Sequence, residues 1–156
     1  MQPTEWKFSN THTNDFEYDR NLVTTEGLHP CKVLIASYFE NGIKTDKNGE
    51  PMSEHYAVTI KFIDGPNKDG GLQDFYWLTD KAGAPDLKGL GILGSLGKSI
   101  YGQKFDTPPC PDDLIGCVVM ANVSFVNGFP HVYHFEPASV NYCDWTDKPE
   151  QFFKDE

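Results

Sequence analysis

The dipeptide Asn127-Gly128 constrains this chain more than any other feature, because it separates two runs with the composition of β-strands. Both residues tolerate the positive φ of a two-residue type I′ turn, so the pair predicts a β-hairpin between residues 114–126 and 129–135. In such a hairpin the numbers of paired residues have a constant sum, here 255. The turn therefore predicts which side chains share a face.

The predicted hairpin has an inner and an outer face. The inner face pairs Phe125 with Pro130, Val123 with Val132, and Ala121 with His134. The outer face pairs Val126 with Phe129, Ser124 with His131, Asn122 with Tyr133, and Met120 with Phe135. Outward rings of Phe129, His131 and Tyr133 form a candidate platform for nucleic-acid bases, because stacking contributes about 1–3 kcal/mol per base. Coverage of these rings by the N-terminal arm or by a second subunit, as in a homodimer, is the open alternative.

Three further strands precede the hairpin. Residues 31–40 are β-branched and aromatic, and a polar, turn-rich loop follows them. Residues 55–63 alternate strictly, which predicts a half-buried strand with Tyr56, Val58, Ile60 and Phe62 toward the core. Residues 72–79 predict a third strand, whose outward face the pattern leaves open.

A helix is predicted between the third and fourth strands. From residue 85 to Tyr101, leucine and isoleucine recur at three- and four-residue spacing, as on one stripe of a helix. Its glycines suggest close packing against the sheet. The order β-β-β-α-β-β predicts a mainly β, OB-fold-like five-stranded Greek-key barrel over residues 31–142. Residues 1–30 are then an arm that packs on the barrel, and residues 143–156 a tail.

Several classes of protein find no support in the sequence. No apolar run approaches the roughly 18 residues of a membrane-spanning helix. The first residues lack the basic start and apolar stretch of a signal peptide, which favours the cytoplasm. No nucleophile motif indicates an enzyme, and no cofactor motif has its required context. No metal is expected, since the four cysteines are widely spaced and His131 and His134 would point to opposite faces of one strand.

The charge is the main objection to nucleic-acid binding. The net charge is −10, and residues 32–142 alone carry nine basic against thirteen acidic residues. A cationic groove is the usual basis of single-strand binding, so the lysines would have to cluster on one face. Lys44 and Lys47 in the first loop and Lys61 on the second strand are the candidate phosphate contacts. Trp77 on the third strand is a further candidate for base stacking.

The tail combines aromatic and acidic residues. Trp145, Phe152 and Phe153 lie among carboxylates and a proline, a composition typical of a disordered segment that anchors in a partner's groove. A terminal strand or helix docked on the domain through the same rings is an equal alternative.

Four short motifs resemble a family of small phage-encoded proteins. They are Glu26-Gly27, the Leu-Gly run of the helix, Asp113-Leu-Ile-Gly116, and the hairpin that ends in Phe135-Glu-Pro-Ala138. The resemblance spans roughly residues 15–140. It implies an OB-fold that binds single-stranded DNA among replication and recombination genes. It also implies an acidic tail that recruits replication or recombination proteins.

The sequence therefore favours a non-enzymatic, sequence-tolerant single-stranded-DNA-binding protein. The alternative is an acidic phage protein that inhibits a host nuclease or defence complex by occupying its DNA groove with carboxylates. The first hypothesis predicts an aromatic outer face, and the second predicts an acidic one.

Overall fold

A computed structural model describes residues 17–102 and 109–138 of the chain. The strands are β1 (Gly27–Phe39), β2 (His55–Phe62), β3 (Gly71–Trp77), β4 (Val118–Val126) and β5 (Phe129–Pro137). The helices are α1 (Leu87–Tyr101) and the short α2 (Pro111–Leu114), and a 3-10 turn covers Arg20–Leu22. In this part of the chain, no helix combines the length and the apolarity needed to cross a membrane.

The five strands form one antiparallel open sheet in the order β3-β2-β1-β4-β5. Consecutive strands form the hairpins β1-β2, β2-β3 and β4-β5, while β1 and β4 pair across the intervening helices. The prediction of a mainly β domain with a helix between the third and fourth strands is confirmed.

The inner face of the sheet and helix α1 enclose the core. The predicted alternation of β2 is confirmed, because Tyr56, Val58, Ile60 and Phe62 are all buried. The structure also settles the face of the third strand. On β3, Leu72, Asp74 and Tyr76 are buried, whereas Gln73 and Phe75 are exposed and Trp77 is half-buried.

Helix α1 begins where the sequence predicts and packs against β3, β4 and β5. Asp86 caps it by accepting a hydrogen bond from the backbone N–H of Gly89 at 3.0 Å. Gly89 lies so close to β3 that a Cβ would fall 1.9 Å from the Trp77 carbonyl oxygen. Close packing thus explains Gly89, but Gly91 has open space around it. Leu87, predicted on the buried stripe, is 81% exposed.

Two predicted strand boundaries are wrong. Strand β1 starts at Gly27, so the end of the predicted arm belongs to the sheet. The fourth strand starts at Val118 and not at residue 114, because Pro111 begins a helical turn that buries Leu114 completely. Gly116, at φ 86°, then redirects the chain into β4.

The hairpin register is confirmed near the turn and wrong beyond it. Pairing follows the predicted sum from Val126 opposite Phe129 to Val123 opposite Val132, after which Tyr133 forms a β-bulge. His134 therefore lies opposite Asn122, and Phe135 lies opposite Ala121. The reason is the core: Phe135, predicted to face outward with Met120, is 1% exposed and meets the Tyr76 ring edge to face at 6.2 Å.

Strands β3 and β5, the two ends of the sheet, are joined by one buried carboxylate. Asp74 is 7% exposed, and its Oδ2 accepts a 2.7 Å hydrogen bond from the backbone N–H of Val132. Its Oδ1 lies 2.9 Å from Nδ1 of His131. Neighbouring strands in the sheet are joined by backbone hydrogen bonds, whereas β3 and β5 are joined through the side chain of Asp74.

Candidate nucleic-acid interface

Four aromatic side chains form a cluster on the outer face of strands β1, β2 and β3. The register places Phe39 opposite His55 and His55 opposite Trp77, with Phe75 two residues before Trp77 on the same face. The His55 ring stacks on Phe39 at 5.3 Å with 29° between the planes. It also contacts Trp77 at 4.8 Å and Phe75 at 5.3 Å. These four residues are called the ring cluster below.

His55 is the centre of the ring cluster. Although it lies on the outer face, it is only 1% exposed, because the three neighbouring rings cover it. Its Nδ1 lies 2.7 Å from the backbone carbonyl oxygen of Ser53, and the N–H at this position donates to that oxygen. The hydrogen bond fixes the ring plane, so Phe39, Phe75 and Trp77 are held in a defined arrangement.

The loop between β1 and β2 brings a cation to the ring cluster. The Lys44 ammonium lies 5.0 Å from the centroid of the Phe39 ring, within cation–π distance. The base of the loop is anchored on the other side of β1, where the Tyr38 hydroxyl donates to the Glu54 carboxylate. This hydrogen bond raises the pKa of Tyr38 to about 12. Lys44, a predicted phosphate contact, therefore lies beside the ring cluster.

Strand β5 contributes a second group of outward rings. Phe129 is 55% exposed, Tyr133 is 49% exposed, and half of the His131 side chain is exposed. The predicted outward orientation of all three is confirmed. The guanidinium of Arg20 lies 5.9 Å from the Phe129 centroid, so a second cation accompanies this group. These three residues are called the β5 rings below.

A cavity of about 580 Å³ lies between the ring cluster and the β5 rings. Phe75 and Trp77 line it from β3, while His131 and Tyr133 line it from β5. Lys88 of helix α1 adds a positive charge to the wall. The volume lies within the roughly 300–1,000 Å³ of pockets that take organic ligands, and aromatic side chains from both strands line it.

Four aspartates around this face accept hydrogen bonds from the backbone. Asp74 accepts from the Val132 N–H, and Asp86 accepts from the first turn of α1. Asp46 and Asp80 each accept two backbone N–H groups of their own loops. The charges of these four aspartates are partly offset by amide dipoles.

Of the other two predicted cations, the structure separates Lys61 from the ring cluster. Lys61 lies opposite Lys32 and Gly71, at the end of β2 remote from His55. Lys47 is exposed at the tip of the β1–β2 loop, beyond Lys44. The tail residues Trp145, Phe152 and Phe153 lie outside the described residues. No group of three or more His, Cys, Asp or Glu side chains in residues 17–102 and 109–138 is placed to hold a metal ion.

Sequence reasoning missed Phe39, His55 and Phe75. Each lies on a predicted strand, but their meeting depends on the pairing of three strands, and the β1-β2 pairing is shifted by a bulge at Leu34. One signal was available: Phe75 and Trp77 are both aromatic and two residues apart, which marks one face of a strand. Comparisons with models of protein families and with curated proteins found no match to this chain.

Proposed function

We propose that this chain is a non-enzymatic single-stranded-DNA-binding protein of low sequence preference. The observation that carries the proposal is the pair of aromatic groups, the ring cluster and the β5 rings, on the two sides of one open cavity. Every base offers a π-face, so exposed rings at spaced positions bind a strand whatever its sequence. Half-exposed Phe75, Phe129 and Tyr133 each present such a surface.

The strand arrangement supports an OB-fold. The order β3-β2-β1-β4-β5 places β3 beside β5 when the sheet curls, and Asp74 links these two strands by side-chain hydrogen bonds. OB-folds bind oligonucleotides through the face of strands 2 and 3 and through the loops between strands 1 and 2 and strands 4 and 5. Here the ring cluster, Lys44 and the turn at Asn127-Gly128 occupy those places.

The local charge supports binding of moderate strength with a shallow dependence on salt. Lys44, Lys88 and Arg20 lie at the rings, whereas the nearby aspartates are engaged with backbone N–H groups. For single strands, log K falls with log salt concentration with a slope of about −0.7 per phosphate neutralised. These three cations alone contribute about −2 to the slope.

The test is a fluorescence titration with oligo-dT of roughly 30 nucleotides, which exceeds the 4–16 nucleotides that one OB-fold covers. We expect quenching of Trp and Tyr emission, with affinity that falls as salt rises. The double variant Phe129→Ala/Tyr133→Ala should weaken binding about tenfold or more, because each stacked base contributes about 1–3 kcal/mol. Its stability in urea should change little, since both rings are half exposed.

Ile115→Ala is the matched control, because it truncates an exposed apolar side chain away from the rings. It should leave binding unchanged. Absence of quenching and of salt dependence in the unmodified protein would refute the proposal. Unfolding of the double variant would place its rings in the core and remove the platform.

The acidic excess supports a second candidate, an inhibitor that occupies the DNA groove of a nuclease. The described residues include fifteen acidic and nine basic side chains. This candidate predicts no binding to oligo-dT and inhibition of DNA cleavage that weakens with salt. The rings on the outer face, in place of a carboxylate surface, favour the first proposal. Two further predictions concern partners. The tail is predicted to recruit replication or recombination proteins, and the chain is predicted to form a homodimer.

A further inference from the structure

A seven-residue motif, Thr-Asp-Lys-x-Gly-x-Pro, occurs twice in the chain, at residues 45–51 and 79–85. The first copy is the tip of the β1–β2 loop, and the second connects β3 to α1. Each copy is closed by an isolated antiparallel bridge between its threonine and its proline. These two segments are called the twin loops below.

The twin loops have the same hydrogen bonds. In the first, Asp46 Oδ1 accepts from the N–H of Asn48 at 2.8 Å and of Glu50 at 3.0 Å. The Asp46 carbonyl accepts from Gly49 at 3.0 Å, and the Asp46 N–H donates to the Glu50 carbonyl at 2.9 Å. Gly49 has φ 82°, a conformation that favours glycine.

The second loop repeats each of these contacts. Asp80 Oδ1 accepts from the N–H of Ala82 and of Ala84, both at 2.9 Å. The Asp80 carbonyl accepts from Gly83 at 3.0 Å, and the Asp80 N–H donates to the Ala84 carbonyl at 2.8 Å. Gly83 has φ 89°. The two copies are therefore one local structure built twice.

In both loops the shared structure directs an aspartate and the lysine that follows it in different directions. In each loop the aspartate turns inward to bind backbone N–H groups, and the following lysine, Lys47 or Lys81, is exposed. Neither lysine forms an ion pair with any residue in the described parts of the chain. Each loop thus presents a cation on a turn that its own hydrogen bonds make rigid.

Both loops leave the sheet at the end where the ring cluster lies. The β1–β2 hairpin that carries the first loop starts from the Phe39 and His55 pair, and the second follows Trp77 directly. The Leu78 N–H donates to the Glu54 carbonyl at 2.9 Å, so the strands at the bases of the two loops are neighbours. Two turns of the same backbone structure, each with an exposed lysine, therefore leave the sheet at the end that carries the ring cluster.

We propose that the twin loops are a duplicated contact for the sugar–phosphate backbone, in which Lys47 and Lys81 each neutralise one phosphate. The strand they hold is the one whose bases stack on the ring cluster, so this inference rests on the proposed function. Because each turn is already ordered by its own hydrogen bonds, binding requires no ordering of its backbone, and two such turns hold the strand at two points.

The test measures the salt dependence of oligo-dT binding for Lys47→Ala, Lys81→Ala and the double variant. Each single substitution should make the slope of log K against log salt shallower by about 0.7, and the double variant by about 1.4. Lys47→Arg/Lys81→Arg should keep the slope. The matched control is Lys68→Ala/Lys98→Ala, which removes two exposed lysines from outside the twin loops and should also leave the slope unchanged.

The outcomes separate this inference from the function on which it rests. If the unmodified protein binds oligo-dT and the double variant keeps the same slope, the twin loops are only structural turns and the inference is wrong. An equal loss of slope in the control pair would also overturn it, because the effect would then be one of overall charge. If the unmodified protein binds no oligo-dT, the proposed function fails first.

Discussion

The two aromatic regions of the outer face are built in opposite ways. In the ring cluster, four rings from three strands contact one another around His55, which is almost completely buried. On β5, Phe129, His131 and Tyr133 stand at alternate positions, and half of each side chain is exposed. The first region is a packed surface, and the second is a row of separate rings.

This difference predicts that the two regions divide folding stability and ligand binding between them. Rings that pack on one another are held in place before a ligand arrives, so binding costs them little conformational freedom. Their substitution must then affect folding as well as binding. Phe129 and Tyr133 contribute little to folding, so their substitution should affect binding alone, whereas His131 also contacts the buried Asp74.

The largest effect is expected where the two regions are joined, at Asp74. The variant Asp74→Ala leaves the Val132 N–H without its partner and removes the contact to His131. Hydrogen bonds to a charged group contribute about 1.5–3 kcal/mol each, so we expect unfolding free energy to fall by about 4 kcal/mol. Urea denaturation measures this change.

Gln73→Ala, on the neighbouring outward position of β3, is the control and should cost less than about 1 kcal/mol. A loss below this value for Asp74→Ala would mean that helix α1 and the Tyr76–Phe135 contact hold β3 beside β5 without the carboxylate. The ring cluster and the β5 rings would then be two independent surfaces and not two sides of one site.

A smaller effect, different in the two regions, is expected from removal of single rings. His55→Ala should lower the unfolding free energy by about 2–3 kcal/mol, because it opens a cavity beneath three rings, and should also weaken DNA binding. Tyr133→Ala should lower DNA affinity about fivefold to a hundredfold while it changes stability by no more than about 0.5 kcal/mol. Paired urea and oligo-dT titrations measure both quantities.

The informative result is the difference between His55→Ala and Tyr133→Ala in their losses of stability and of DNA affinity. Equal losses of stability would show that the β5 rings are also structural. Unchanged binding in His55→Ala would confine the DNA contact to β5.

The smallest effect is expected from deletion of residues 143–156, which lie outside the described part of the chain. The deletion removes two basic and five acidic residues, a net charge of −3. Oligo-dT affinity should stay equal or rise slightly, because carboxylates that compete with phosphate are lost. The same titration at low salt measures this, and a fall in affinity would show that the tail itself contacts DNA.

The sequence was sufficient for features that short-range chemistry determines. The Asn127-Gly128 turn, the alternation of β2 and the start of α1 each depend on a few adjacent residues, and the structure has all three. The outward orientation of Phe129, His131 and Tyr133 followed from the same turn.

The features that the sequence did not reveal depend on distant partners. The bulge at Tyr133 exists because Phe135 fills the core against Tyr76, more than fifty residues away along the chain. The ring cluster likewise depends on three-strand pairing that includes the bulge at Leu34. Periodicity within one strand carries no information about either, because a bulge reverses the faces without changing the composition.

The bulge at Tyr133 also divides β5 into two segments that can vary separately. Before it, every second side chain points to solvent, so new residues at positions 129 and 133 would alter what the surface recognises without disturbing the interior. After it, Phe135 is enclosed, and its replacement would decide whether the domain folds. Relatives of this chain could therefore acquire new ligands through the first segment of β5 while the second keeps the same residues.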